Sequence, residues 1–314
     1  MARPWVLVTG GQGFVASLLA PHLSARGYAV WAPARDQLDI GDRAAVESAV
    51  AGRDWAAVVH LAGLSHVPTC ERDPGRAYRL NRDAAVDLYQ ALRRHTPGAH
   101  FVFASTALVY RTPSGTEAAT DCVLTEDREA APTGVYAHSK WEAEQALCQL
   151  PIDAGRLTIA RLFNHTHKTQ PAAFFLPHVY QGLCAAGPGR TAVVPVGNLE
   201  IHRDVGAVAD LVTALGVLVA HPWSPGLGVF NICSGVRRHL GQLARSLAAR
   251  LGVEVRFEVD AGRLRPGEPR SICGSLDRLA TATGWRPRCT EESAFLDAFL
   301  ADDPGAWTAA PPRG

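Results

Sequence analysis

The sequence predicts an α/β fold, a doubly wound parallel sheet with a smaller C-terminal lobe built on it. Three observations carry this. Short β-branched runs alternate with amphipathic stretches through the first half of the chain. A glycine-rich turn joins the first run to the first helical stretch. Beyond about Asn164 the alternation gives way to chain rich in Pro and Gly. Strand–helix alternation at this spacing implies parallel strands with helices on both faces, and right-handed crossovers leave the doubly wound arrangement as the natural solution.

Taken in order, Trp5–Thr9, Ala29–Ala32, Ala57–His60, Phe101–Ala104 and Leu157–Ala160 read as buried strands. Helical patterns fall between them at Phe14–Arg26, Arg43–Val50, Ala77–Arg94 and Gly134–Leu150. Pro171–Asn198 carries aromatics at Phe174, Phe175 and Tyr180 within its Pro- and Gly-rich run. Asp204–Leu218 reads as a further helix, Gly228–Ile232 as a returning strand, and Leu240–Val259 as a helix followed by a strand. The polar, Pro-rich end at Ala309–Gly314 reads as loose chain.

The 314 residues suit one large domain or a nucleotide-binding domain plus a lobe. With 47% hydrophobic and 19% charged residues the composition is that of an ordinary globular protein. A net charge of +1 gives no general attraction to nucleic acid or membrane, so an anionic ligand must be held by a few placed arginines. No apolar run approaches the roughly 20 residues of a membrane span. The first strand begins almost at Met1, which leaves no room for a cleavable leader and points to the cytoplasm. Seven scattered cysteines without CxxC spacing read as reduced thiols, neither a disulfide frame nor a zinc site. His165 and His167 lack the accompanying carboxylates or cysteines that a metal site needs, so no metal is expected.

The first strand runs into Gly10, Gly11 and Gly13, and Phe14 and Val15 open the apolar helix that follows. Glycine there lets the backbone approach a pyrophosphate, while the helix N-terminus offers N–H donors and a positive dipole end. This strand–turn–helix context points to a dinucleotide; an unrelated tight turn is the alternative. After the second strand the chain offers Ala32-Pro33-Ala34-Arg35, with no acid before Asp36. Arg35 can pair with a 2′-phosphate through its guanidinium fork, or be a solvated surface residue. NADP(H) is therefore expected over NAD(H), which stays possible.

Tyr136 and Lys140 stand four apart, on one helix face about one turn apart. A lysine held beside a phenol favours phenolate and lowers its pKa, making Tyr136 an acid/base for a sugar hydroxyl or carbonyl. Thr106 lies just past the fourth strand, where its hydroxyl can bond the same oxygen or simply cap the strand end.

These motifs resemble the extended short-chain dehydrogenase/reductase family, which includes the NAD-dependent sugar-nucleotide epimerases, dehydratases and reductases and has a Rossmann-type sheet. Supporting segments are Leu38-Asp39-Ile40, His60-Leu61-Ala62-Gly63 and Asn81. The resemblance implies a catalytic set of Thr106, Tyr136 and Lys140. It also implies an adenine-contacting Asp39 with Ile40, and cofactor contacts at Leu61, Ala62 and Gly63.

The later half resembles the reductase and dehydratase branch that handles GDP-mannose derivatives, through Ser65-His66-Val67, Arg161-Leu162-Phe163-Asn164-His165-Thr166, Gly197–Asp204 and Arg263–Glu268. It implies that Arg203 and Arg265 hold the substrate diphosphate, that Glu268 binds the nucleoside ribose, and that Ser65, His66 and Asn164 contact substrate. Guanidinium suits phosphate and carboxylate suits ribose hydroxyls on chemical grounds too, although any single arginine can be a surface ion pair. Dehydratases of the branch carry an acid two residues before the tyrosine matching Tyr110; here that residue is Leu108, which transfers no proton. Arg111, Val205 and His167-Lys168-Thr169 depart from the branch pattern at positions expected near the substrate cleft.

The expected activity is NADPH-dependent reduction of the 4-keto group of a nucleoside-diphosphate 4-keto-6-deoxyhexose, GDP-linked. The alternatives are a C4 epimerase with tightly held NAD, and a catalytically silent NADP-binding relative. Residues 1–165, with 204–232 returning to them, are expected to bind cofactor, and 166–314 to form the substrate-binding lobe. The resemblance further implies a homodimer through Ala77–Arg94 and Gly134–Leu150.

Overall fold

The computed structural model describes residues 2–114, 117, 122–152, 155–264 and 268–303. Its main sheet contains β1 (Trp5–Thr9), β2 (Ala29–Trp31), β3 (Trp55–His60), β4 (His100–Thr106), β6 (Arg156–Leu162) and β10 (Gly226–Ile232). Their spatial order is β2-β1-β3-β4-β6-β10, all parallel.

Period-two alternation assigns the two faces. Val6 and Val8 face α1 (Ala16–Ala25) and α8 (Val208–Ala220), packing with Leu19, Leu23, Leu211 and Leu215. Leu7 faces the other way, toward α2 (Arg43–Ala51), α5 (Ala84–His95) and α6 (Gly134–Cys148), with Val50, Leu88 and Leu147. Burial on both faces explains why these strands read as apolar runs.

From β1 the chain steps outward to β2 and then returns to β3 on the far side of β1. That reversal opens a crevice at the carboxyl ends of the strands, where open α/β sheets bind ligands.

A second sheet sits across the crevice, ordered β11 (Arg237–His239), β9 (His202–Ala207), β13 (Ser271–Gly274) and β5 (Val123–Leu124), with β7 (Asn164–Thr166) also on β9. Another core joins α7 (Phe175–Ala186), α9 (Leu240–Arg250) and α11 (Glu292–Leu300) to the parallel pair β8 (Thr191–Val196) and β12 (Glu254–Val259).

Two expectations need correction, and one stretch that the sequence leaves unassigned resolves into elements. Asp204–Ala207 is strand, not the start of a helix: its backbone pairs with neighbouring strands, and the Asp204 carboxylate accepts from the amides of Ser234, Gly235 and Gly274. The Pro- and Gly-rich stretch contains α7 and β8, both stabilised by tertiary packing. The expected Ala77–Arg94 helix is composite: α4 (Pro74–Tyr78) passes through a π-helical turn at Arg79–Asp83 into α5. Ala309–Gly314 lies outside the described residues. Among the described residues, no helix is long and apolar enough to cross a membrane.

Candidate active site

A cleft of about 1230 Å³ runs along the carboxyl ends of β1, β3, β4 and β6 and continues under the second sheet. At its first end, Gly10 has φ +76°, and a Cβ there would stand 3.1 Å from Ala62 Cα. A Cβ on Gly11 would lie 2.1 Å from the Ala32 carbonyl oxygen, and one on Gly13 would lie 2.9 Å from the Gly10 oxygen. The turn is thus drawn against β2 and β3, and Gly13 donates to the Gly10 carbonyl at 2.7 Å. This glycine-rich cradle before the N-terminus of α1, in which only Gln12 carries a side chain, suits a pyrophosphate.

Arg35 and Asp39 both line the cleft beyond β2 and pair at 3.1 Å. The Gly41 amide first, and the Arg35 guanidinium second, hold the Asp39 carboxyl below its ordinary range. Arg35 remains 66% exposed, so its fork is open to a further anion. Ile40 lines the same wall.

Thr9 organises the next stretch. Its Oγ1 accepts from the Leu61 and Ala62 amides, both at 3.1 Å, leaving its proton for His60 Nδ1 at 2.8 Å. Burial first, and the Lys140 charge second, bring His60 down to about 3, so the ring is neutral. At Gly63 a Cβ would stand 2.6 Å from Asn81 Oδ1. Asn81 holds the Leu64 amide at 2.7 Å, the Leu64 carbonyl at 3.0 Å and Ser139 Oγ at 2.9 Å. It sits within the π-helical turn, a feature frequent at functional sites.

Thr106, Tyr136 and Lys140 converge on the cleft from the end of β4 and one face of α6. Thr106 hydrogen-bonds Tyr136 and accepts from the Leu108 amide at 3.2 Å. Burial raises the Tyr136 phenol to about 12, the Thr106 bond opposing it. The expectation that Lys140 lowers this phenol is not met. Lys140 Nζ donates to the Ala104 carbonyl at 2.8 Å and lies 4.6 Å from the Phe103 ring centroid. The Lys140 charge is not among the influences on Tyr136, and burial brings its own pKa to about 8. The arrangement therefore presents a protonated phenol at neutral pH, suited to giving a proton.

Behind this trio lies a buried polar network that sequence reasoning missed. Glu144, two turns beyond Tyr136 on the same face, takes a two-pronged bond from Arg161, with Nη2 to Oε2 at 2.7 Å. Ser105 donates to Glu144, and the Arg161 guanidinium lies 4.8 Å from the Tyr110 ring centroid. Tyr110 in turn donates to Asn231. The i, i+4, i+8 spacing of Tyr136, Lys140 and Glu144 was the available signal.

At the substrate end Ser65, Asn164, Arg203 and Glu268 line the cleft. Arg203 pairs with Glu268 at 2.9 Å and donates to the carbonyls of His202 at 2.7 Å and Pro269 at 2.9 Å. The two residues expected on separate parts of a nucleotide are thus direct partners. Arg265 lies outside the described residues.

His66 does not join the site: it is exposed at the start of α3 (Val67–Arg72) and bonds Thr69 Oγ1 at 2.7 Å. His167 and Lys168 also turn away, bonding the carbonyls of Ala301 and Leu300 at the C-terminal end of α11. Arg111 and Val205 do line the cleft. His165 stacks on Phe14 with centroids 6.2 Å apart, bridging β7 to the glycine turn beside Val15.

The profile described as "NAD dependent epimerase/dehydratase family" matches residues 6–233. GDP-6-deoxy-D-mannose reductase of Pseudomonas aeruginosa is 32% identical over 305 residues, covering 95% of this chain and 96% of that protein. UDP-glucose 4-epimerase of Azospirillum brasilense is 28% identical over 91% of this chain and 88% of its own. Among solved structures, RMD from Pseudomonas aeruginosa complexed with NADPH superposes with a TM-score of 0.81 at 29% identity, covering 98% of this chain and 99% of that one.

Proposed function

We propose that this chain, which belongs to the NAD-dependent epimerase/dehydratase family, reduces the 4-keto group of a nucleoside-diphosphate 4-keto-6-deoxyhexose, GDP-linked, with NADPH. The observation that carries the reading is the cleft wall after β4. It presents Thr106 and a protonated Tyr136 beside Leu108, with no carboxylic acid at that position for a dehydration. The likeness to a GDP-6-deoxy-D-mannose reductase supports the same substrate class.

A nicotinamide dinucleotide held in this cleft would supply the hydride for the ketone carbon. Gly10 and Gly13 would leave room for its pyrophosphate at the N-terminus of α1, flanked by Phe14 and Val15, while Gly11 lets the turn lie against Ala32. Arg35 provides a fork for a 2′-phosphate, the reason for preferring NADP(H) over NAD(H), while Asp39 and Ile40 border the adenine side. Leu61, Ala62 and Gly63 line the cleft on the way to Lys140 and would flank the cofactor, whose ribose Lys140 would bind. Tyr136 gives its proton to the ketone oxygen, and Thr106 orients that oxygen and stabilises the phenolate left behind. Arg203, with Arg265, holds the diphosphate; Glu268 takes the nucleoside ribose, and Ser65 and Asn164 contact substrate.

In this reading residues 1–165, with 204–232, serve the cofactor, and 166–314 the sugar nucleotide. We place the protein in the cytoplasm as a homodimer joined through α5 and α6. A C4 epimerase would reuse the same groups; the likeness to UDP-glucose 4-epimerases keeps that reading second, and the fork at Arg35 argues for exchangeable NADPH.

Tyr136→Phe tests the assignment. It should lower kcat on the order of 10²–10⁴-fold with NADPH affinity retained. Wild-type-like turnover refutes it.

A further inference from the structure

The cleft wall mixes charged and hydrogen-bonding groups with apolar ones, and three of its large apolar side chains, Val67, Leu108 and Phe174, stand open. Leu108 is 52% exposed, the most exposed large apolar side chain of the cleft wall among the described residues. Nothing in its own element requires a leucine. It sits in the 3-10 turn Ala107–Val109, whose buried member is Val109. An exposed leucine on a surface is ordinary, but one held on the wall of a cleft has apolar area that a ligand can cover.

Its place is fixed relative to the reacting centre. The Leu108 amide donates to Thr106 Oγ1 at 3.2 Å, and Thr106 is the hydroxyl bonded to Tyr136. Tyr110, two residues on, is anchored to Asn231 behind the cleft, and Tyr110 N donates to the Ala107 carbonyl at 3.2 Å. The turn is therefore pinned at both ends. Leu108 is thus held on the cleft wall one backbone hydrogen bond from the Thr106 hydroxyl.

We propose that Leu108 is a specificity-determining residue that reads the substituent beside the reacting C4, accepting the C6 methyl of a 6-deoxyhexose and disfavouring the hydroxymethyl of an ordinary hexose. The inference rests on the 4-ketoreductase reading and names the residue that selects its substrate class. The physical basis is asymmetric. A methyl against leucine removes apolar area from water on both sides. A hydroxymethyl placed there gives up hydrogen bonds to water and finds no partner in the isobutyl group. An apolar pocket discriminates against an added hydroxyl by up to about 10²-fold.

The test is isothermal titration of the NADP+-saturated protein with GDP-6-deoxy-D-mannose and with GDP-mannose. Wild type should bind the 6-deoxy sugar on the order of 10- to 100-fold more tightly. Leu108→Ser should bring the two within about threefold by weakening the first and admitting the second, and Leu108→Met should keep most of the preference. Because Leu108 is exposed, both variants should unfold at the wild-type temperature, a control that separates selectivity from folding. Equal binding of the two sugars by wild type, or an unchanged preference in Leu108→Ser, overturns the proposal and leaves the ketoreductase reading standing. Failure of wild type to bind either sugar overturns both.

Discussion

Glu144 is the residue whose loss should damage this protein most for the fewest atoms. Its side chain is 3% exposed and that of its partner Arg161 is 7% exposed. Arg161 directs Nε and Nη2 at the two carboxylate oxygens and spends Nη1 on the Glu126 carbonyl at 3.3 Å. Glu144→Ala leaves that guanidinium buried without a counter-charge, and water has little access to replace it. Breaking a buried pair from one side costs about 3–5 kcal/mol. For a chain of 314 residues that is a fall in Tm of roughly 5–8 °C. Replacing both partners, as Glu144→Leu with Arg161→Met, should recover most of the loss, because the buried charges disappear together. Thermal unfolding of the two single variants and the double variant closes a double-mutant cycle and isolates the coupling. Glu144 also opposes the burial that depresses Lys140, so Glu144→Gln should move the Lys140 pKa further below about 8. A Glu144→Ala protein within about 1 kcal/mol of wild type would refute the reasoning, since one such deletion should exceed that severalfold.

Gly11→Ala places a Cβ 2.1 Å from the Ala32 oxygen and 2.6 Å from its carbonyl carbon, both backbone atoms that cannot turn aside. NADPH affinity, read by titration of cofactor fluorescence, should weaken at least about tenfold, the size of a lost placed contact near 1.4 kcal/mol; unchanged affinity contradicts the cradle. Arg35→Ala removes an exposed ion pair worth little to stability. It should raise KM for NADPH about tenfold or more while leaving KM for NADH nearly fixed, consistent with a lost charge-assisted phosphate contact, and an equal effect on both cofactors removes the 2′-phosphate role. Buried histidines predict acid sensitivity. Burial brings His60 and His100 to about 3 and His22 to about 4. Unfolded, each titrates near 6.5, so below that pH the unfolded chain takes up protons that the folded chain refuses. The stability they contribute is whole above pH 6.5 and falls toward pH 4 by about 1.4 kcal/mol per pH unit for each ring. Urea midpoints measured from pH 7 to 5 should fall accordingly; a flat profile contradicts neutral burial.

Much of this was legible because local and tertiary signals agree in the main sheet. Trp5–Thr9 is strand over its full expected length, since its apolar run is buried on both faces. Tyr136, Lys140 and Thr106 meet because an i, i+4 pair on α6 faces the end of the strand carrying Thr106. Features decided by long-range partners were not legible. Asp204 belongs to a strand because amides 30 and 70 residues away in sequence converge on its carboxylate. The Arg203–Glu268 pair joins β9 to the segment before β13, and Ala77–Arg94 hides its π-helical turn because helical periodicity continues through it. Lys140 turns to Ala104 because a carbonyl at the end of β4 lies within reach, which spacing along α6 does not reveal.

The central claim is that this cleft moves hydride from NADPH to C4 of a keto sugar nucleotide. It is tested most directly with NADPH deuterated at the nicotinamide C4, supplied with GDP-4-keto-6-deoxy-mannose and with the UDP- and dTDP-linked 4-keto-6-deoxyhexoses. Our account expects NADPH to be consumed one for one with the GDP-linked sugar, and one deuterium to be found at C4 of its product by mass spectrometry and NMR. Isomerised sugar with no net NADPH consumed and no deuterium gained would contradict ketoreduction and establish the epimerase instead.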